Sequence, residues 1–152
     1  MQNKKIVLDT NVLISSLSRR GKYFPIWQGF QEGKYTLCIS NEILEEYTEI
    51  IGQLMTPEIA ENVANLLLKS ENVELIQPYF HLGLITADPD DNKFVDCAFA
   101  ANATYIVSND SHFDVLQSVD FPILLVLKLK EFLEKIQNNS FVSSISKCNC
   151  MR

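Results

Sequence analysis

The sequence predicts an α/β fold, with a parallel sheet covered on both faces by helices. Five short segments are near-continuous Ile, Val and Leu runs rather than alternating apolar and polar residues. That pattern marks strands buried on both faces. Between them, apolar residues recur every three to four positions, which is the helical period. The chain has 152 residues, 47% of them apolar and 21% charged. One core of this size buries roughly two-thirds of the unfolded chain's surface. No repeat or composition break divides it, so one domain is expected over residues 1–137, followed by a flexible tail over 138–152 rich in Asn and Ser.

Ile6-Val7-Leu8 is the first strand and stops at Asp9. Helical spacing follows at Val12, Leu13 and Leu17, then a basic loop, Ser18-Arg19-Arg20-Gly21-Lys22. A short helix is expected from Phe24 to Phe30 and a second strand from Tyr35 to Ile39. Phe24, Trp27 and Phe30, three apart, mark the buried side of that helix rather than a platform for stacking bases. Ser40 is a favoured N-cap, with Glu42 in the first turn. Ile43, Leu44, Tyr47, Ile50, Ile51 and Leu54 then form one helical stripe. Thr56-Pro57-Glu58 starts the next helix with Pro at its first position. Val73 to Ile76 is the third strand, closed by Pro78. Ala87-Asp88-Pro89-Asp90-Asp91 turns into a helix buried along Phe94, Val95, Ala98 and Ala101. Thr104 to Val107 and Ile123 to Leu127 are the fourth and fifth strands, with a short helix from Phe113 to Leu116 between them. Leu129 to Ile136 is the last helix.

Composition excludes several classes of function. The net charge of −6 provides no global field for nucleic acid, so any contact with phosphate must be local or metal-mediated. The longest apolar run, Ile123 to Leu127, falls far short of the ~20 residues of a spanning helix, so no membrane partner is expected. MQNKKIVLDTN has too short an apolar run for a signal peptide, which predicts a cytoplasmic protein. Cys38 and Cys97 lie in apolar segments and read as core, while Cys148 and Cys150 form a C-x-C in the tail. With His81 and His112 the only histidines, the spacing does not make a zinc site, and reduced thiols are expected.

In parallel sheets, sites lie outside the carboxyl ends of the strands, where strand order reverses. Asp9 and Asp110 follow the first and fourth strands. Either residue alone reads as a helix cap, but together they occupy one edge of one sheet. Glu46 lies at the margin of its helical stripe, roughly 95° from its centre, and is the glutamate there best placed to reach inward. Glu45 and Glu49 point to solvent. Asp88, Asp90 and Asp91 exceed what capping the next helix needs. Asp96, one turn on, is expected to face solvent. Carboxylates converging on one pocket repel one another, and a hard divalent cation resolves the conflict. Oxygen ligands without convergent His or Cys select Mg²⁺ or Mn²⁺ over Zn²⁺. The chemistry that suits such a site is phosphodiester hydrolysis.

Four ordered segments carry a resemblance: Ile6-Val7-Leu8-Asp9-Thr10-Asn11-Val12-Leu13-Ile14-Ser15, Ile43-Leu44-Glu45-Glu46-Tyr47, Asp88-Pro89-Asp90-Asp91-Asn92-Lys93-Phe94, and Tyr105-Ile106-Val107-Ser108-Asn109-Asp110. Together they resemble the motifs of PIN-domain nucleases over residues 5–136, and in particular bacterial PIN proteins described as toxin components of toxin–antitoxin systems. The resemblance implies a three-layer PIN-like fold with a five-stranded parallel sheet of order 3-2-1-4-5. It implies Mg²⁺- or Mn²⁺-dependent cleavage of single-stranded RNA, an antitoxin partner and a homodimer. Carried over by position, the catalytic acids are Asp9, Glu46, Asp91 and Asp110. Asp9, Asp91 and Asp110 would hold metal, and Glu46 would orient or deprotonate the attacking water. Asn11 and Ser108 match supporting positions, with Ser108 standing where Thr is more usual. Asp88 and Asp114 are candidate outer ligands, and Asp88 competes with Asp91 for the third acidic position. Arg19, Arg20 and Lys22 are candidates for RNA phosphate contacts. His112 either touches a phosphate or leaving group, or only packs and hydrogen-bonds.

Two rivals remain. A phosphatase using Asp9 as nucleophile, as in haloacid-dehalogenase-like enzymes, wants a second acid two residues on, where Asn11 stands. A non-catalytic PIN-like adaptor would bind RNA or a partner without turnover, and the presence of all four acids argues against it. A nucleotide-binding module is disfavoured because no Gly-rich phosphate loop is present.

Overall fold

The computed structural model describes residues 4–138. The expected tail from residue 139, with Cys148 and Cys150, lies outside the described residues. The elements run β1 Lys5–Leu8, α1 Thr10–Ser16, α2 Phe24–Gln31, β2 Thr36–Ile39, α3 Asn41–Leu54, α4 Pro57–Lys69 and β3 Val73–Leu75. A 3-10 turn, Pro89–Asp91, leads into α5 Asn92–Ala101 and β4 Tyr105–Val107. A 3-10 run, Ser111–Ser118, then precedes β5 Val126–Leu127 and α6 Leu129–Gln137.

The five strands form one parallel sheet in the order β3-β2-β1-β4-β5, flanked by helices, as the resemblance implied. Ile6, Val7 and Leu8 are fully buried, which explains their unbroken apolar run. The chain leaves β1 for β2 on one side and reaches β4 on the other, so strand order reverses at the carboxyl end of β1. The helix starts follow from their caps. Ser40 Oγ accepts from the Ile43 N–H at 3.3 Å, and Thr56 Oγ1 from the Ile59 N–H at 3.1 Å beside Pro57. α5 ends at Asn102, whose φ of 54° is the left-handed conformation that terminates helices.

Trp27 and Phe30 are buried and Phe24 is half-buried, so this helical side packs inward as expected. Cys38 and Cys97 are buried free thiols. Three expectations need correction. Leu54, given to the apolar stripe of α3, is the last residue of that helix and is 67% exposed. The fifth strand is shorter than the Ile123–Leu127 run. Its register pairs Val126 with Ile106, so Ile123 would face Ala103, whose N–H is already used closing α5 onto Ala98. Ile123 and Leu125 are left exposed. Asp96 faces inward, not toward solvent: it is 5% exposed, and Oδ1 accepts from the Leu82 N–H at 3.0 Å. The segment between β3 and α5 passes along this helix, and its half-buried Leu82 N–H finds an acceptor there. Asn92 grips the same segment twice, through the Ile85 N–H and C=O.

Candidate active site

Asp9 directly follows β1, and its N–H donates to Val107 of β4 at 3.0 Å, which holds the two strand ends together. Its carboxylate does not cap α1. Instead it accepts from Ser108 Oγ at 2.7 Å, and Ser108 Oγ in turn accepts from the Asp110 N–H at 3.0 Å. Ser108 therefore joins the two acids. Asp110 Oδ1 accepts from the His112 N–H at 2.9 Å, which fixes the turn after β4.

Asp91 stands at the start of α5, where free N–H groups and the helix dipole favour a carboxylate. The ring of His112 bridges from this side to the strand ends: Nδ1 lies 3.1 Å from Asp91 Oδ2 and 3.2 Å from Asp110 Oδ1. Asp88 accepts from the Asp90 N–H at 3.2 Å. One ligand atom each from Asp88, Asp91 and His112 falls within 4.8 Å of the others. His112 thus hydrogen-bonds between the two sides of the site.

Glu46 reaches inward from α3 as its angular position predicts. One carboxylate oxygen accepts from Thr10 Oγ1 and the other pairs with Lys93 Nζ at 2.8 Å. Lys93 also meets Asp90 at 3.1 Å, and its side chain is only 8% exposed. Sequence reasoning missed Thr10 and Lys93, although both lie inside the quoted motifs. It also missed Asn109, whose Oδ1 accepts from the Leu129 N–H at 2.9 Å and seats α6 beside the cleft. Asp9, Asn11, Val12, Ser15, Asn109, Asp110 and Leu129 line a cavity of about 260 Å³.

The remaining candidates lie elsewhere. Asp114 is largely exposed and pairs with Lys128 at 3.4 Å. Arg19 lines a separate groove with Leu17, Phe24, Trp27, Met55 and Ile59, while Arg20 and Lys22 are exposed in the turn before α2.

The electrostatics follow from this placement. Burial, and secondarily the charges of Asp91 and Asp110, push Asp9 up to about 6 against the lowering effect of hydrogen bonds from Ser108 and the Thr10 backbone. Burial likewise raises Asp91, with Asp110 and Asp88 adding to it and His112 opposing. His112 is raised, first by its hydrogen bond to Asp91 and then by the surrounding carboxylates. Burial alone would lower Lys93, but its bonds to Glu46 and Asp90 hold it above the usual value. Crowded carboxylates and one imidazole form a donor set suited to a divalent cation. Among the described residues, Asp88, Asp91 and His112 bring donor atoms close enough together for one ion, and Asp9 and Asp91 are raised first by burial and then by acidic neighbours.

An acid-lined cleft at the switch point of a 3-2-1-4-5 parallel sheet defines the class of protein. The chain belongs to the PIN domain family, whose model matches residues 5–112. Among solved structures, it is similar to VapBC2 from Rickettsia felis bound to a promoter DNA fragment, at 18% identity and a TM-score of 0.57, covering 82% of this chain and 98% of that one. VapBC-1 from nontypeable Haemophilus influenzae gives 17% identity and a TM-score of 0.57, covering 83% and 98%. The PIN domain of T. brucei RRP44 gives 11% identity and a TM-score of 0.53, covering 98% and 89%. These likenesses establish the shared fold. No curated protein matches the sequence. Among the described residues, no helix is long and apolar enough to cross a membrane.

Proposed function

We propose that this PIN domain is a metal-dependent endoribonuclease that cleaves single-stranded RNA by attack of water on the phosphodiester. We further propose that it is the toxin of a toxin–antitoxin pair. The observation that carries the reading is the meeting of Asp9, Asp91 and Asp110 from three separated segments, linked by Ser108 and His112. Asp9, Asp91 and Asp110 hold Mg²⁺ or Mn²⁺, with Asp88 as an outer ligand. When bound, the cation offsets phosphate charge and makes water a stronger nucleophile. Ser108 keeps Asp9 and Asp110 in register, and Asn11 lines the entrance to the cleft. Each Glu46 oxygen keeps a lone pair beyond its bond to Thr10 or Lys93, so Glu46 retains capacity to orient the attacking water or accept its proton. Arg20 and Lys22 supply phosphate contacts from the exposed turn; Arg19 does so from the rim of its groove.

The resemblance to toxin components supports an antitoxin partner and self-association, and the fold shared with VapBC2 and VapBC-1 agrees with the antitoxin partner. The apolar groove holding Leu17, Phe24, Trp27, Met55 and Ile59 is where an antitoxin segment would dock. The test is cleavage of single-stranded RNA with Mg²⁺ or Mn²⁺, with chelator, and with Asp9→Asn. Chelator should abolish turnover, and the variant should lose on the order of 10²–10³ in rate while staying folded. Turnover that persists in chelator overturns the metal mechanism. RNA bound but never cut would indicate an adaptor, and a phosphoenzyme trapped on Asp9 would indicate a phosphatase.

A further inference from the structure

The expected cation site is made of oxygen donors alone, with His112, two residues after Asp110, either touching a phosphate or leaving group or only packing and hydrogen-bonding. The structure brings its ring to the acids. His112 Nδ1 lies 3.1 Å from Asp91 Oδ2 and 3.2 Å from Asp110 Oδ1. Among the described residues, Asp88, Asp91 and His112 are the one group of His, Cys, Asp or Glu side chains whose donor atoms fall within 4.8 Å of one another. His81 makes a useful contrast: its ring is 77% exposed, and it meets a single carboxylate, Asp96.

We infer that His112 is a nitrogen ligand of the cation in this cleft and biases the site toward first-row transition ions over Mg²⁺. This rests on the metal-dependent reading above and specifies which metal chemistry the site favours. Three physical points carry it. The donor atom already faces the acids, so no ring flip is needed. The spacing is right, since donors about 2.1 Å from an octahedral ion sit about 3.0 Å apart when adjacent. The ring is also held in place: the His112 backbone N–H is tied to Asp110, and Asp91 is fixed at the start of α5. Imidazole nitrogen suits transition ions, whereas Mg²⁺ keeps to oxygen donors and retains water. Mn²⁺ takes oxygen donors as Mg²⁺ does, but it is a paramagnetic first-row ion that also binds imidazole, which makes it the probe of choice.

The experiment loads the full chain with Mn²⁺ and records pulsed electron paramagnetic resonance, which detects nitrogen bonded to the ion. Wild type should show a directly coordinated ¹⁴N that is lost in His112→Gln and kept in His81→Gln. Calorimetric titration should show Mn²⁺ affinity falling on the order of tenfold or more in His112→Gln, with Mg²⁺ affinity changing less than about threefold. Bound Mn²⁺ without coordinated nitrogen in wild type overturns this inference and leaves the nuclease reading intact. Equal losses for both ions overturn the selectivity. Failure of wild type to bind Mn²⁺ at all overturns the inference together with the metal-dependent reading. If His112→Gln does not fold, the wild-type spectrum decides.

Discussion

On one side of the cleft Glu46 faces Lys93 at 2.8 Å, and Lys93 is almost fully enclosed. On the other, Asp9, Asp91 and Asp110 face one another with only the His112 ring between two of them. Both sides gather negative charge at the end of the same sheet. The first carries a permanent counter-ion on α5, two residues past the end of the Pro89–Asp91 turn. The second has only the half-exposed His112 ring, and burial, with acidic neighbours adding to it, pushes Asp9 and Asp91 upward. The difference separates two jobs for a carboxylate. A glutamate with a built-in cation is oriented at all times. An aspartate cluster without one waits for a cation from solution and is electrostatically strained until it comes.

The largest effect that tests this contrast is at Asp9. Its folded value, about 6, lies above the ordinary 3.8, so the folded state binds this proton more tightly than the unfolded chain. The stability Asp9 contributes is fully present below about 3.8 and is lost as pH rises through about 6. At pH 7.5 without metal, ionised Asp9 therefore lowers folding stability by about 3 kcal/mol relative to low pH, as an upper bound. Asp9→Asn cannot ionise. In chelator it should melt higher than wild type at pH 7.5, with the gain fading toward pH 4, while turnover is lost. A variant that is less stable than wild type at pH 7.5 breaks the picture of a strained half.

Lys93 gives the next largest effect, with the opposite sign. Lys93→Met removes the counter-ion and leaves Glu46, only 22% exposed, facing Asp90 without it. Losing one partner of an enclosed ion pair costs several kcal/mol when both are buried, and about 2 kcal/mol is expected for this half-enclosed pair. Adding Glu46→Gln should recover much of that loss, and denaturant unfolding of the four forms reads the coupling directly. Independent losses that simply add would mean the two halves are balanced alike.

The contrast also shows where sequence reasoning reached and where it stopped. Asp9 and Asp110 were legible because a strand's end fixes where the next residues go. Glu46 was legible because one helix sets its own angles. Lys93 was not, since its partner depends on how α3 sits against α5, and no local period encodes that. His112 lies two residues after Asp110, but its approach to Asp91 depends on a segment 21 residues earlier. Asp96 was misassigned for the same reason: the segment that covers it contributes no periodic signal. The fifth strand was overdrawn because apolar character alone does not supply a partner backbone. Fold and acids follow from local pattern; the cations between the acids follow from packing.

Ser108 offers the smallest and finest adjustment. Its hydroxyl donates to Asp9 and accepts from the Asp110 N–H, so it is the strained half's own source of relief. Removing it with Ser108→Ala takes away a bond that favours the charged form of Asp9 and leaves a half-buried N–H without its acceptor. The expected cost is about 1 kcal/mol near pH 7.5 and less near pH 4, where folded Asp9 is protonated with or without the hydroxyl. The midpoint of Asp9, followed by carboxyl NMR without metal, should move upward from about 6. Ser108→Thr keeps the hydroxyl, so both quantities should stay close to wild type, and the Ser–Thr difference at this position should be nearly silent. An Asp9 midpoint that falls in Ser108→Ala would show that the hydroxyl serves the neutral acid instead, and the strain on this side would then need another origin.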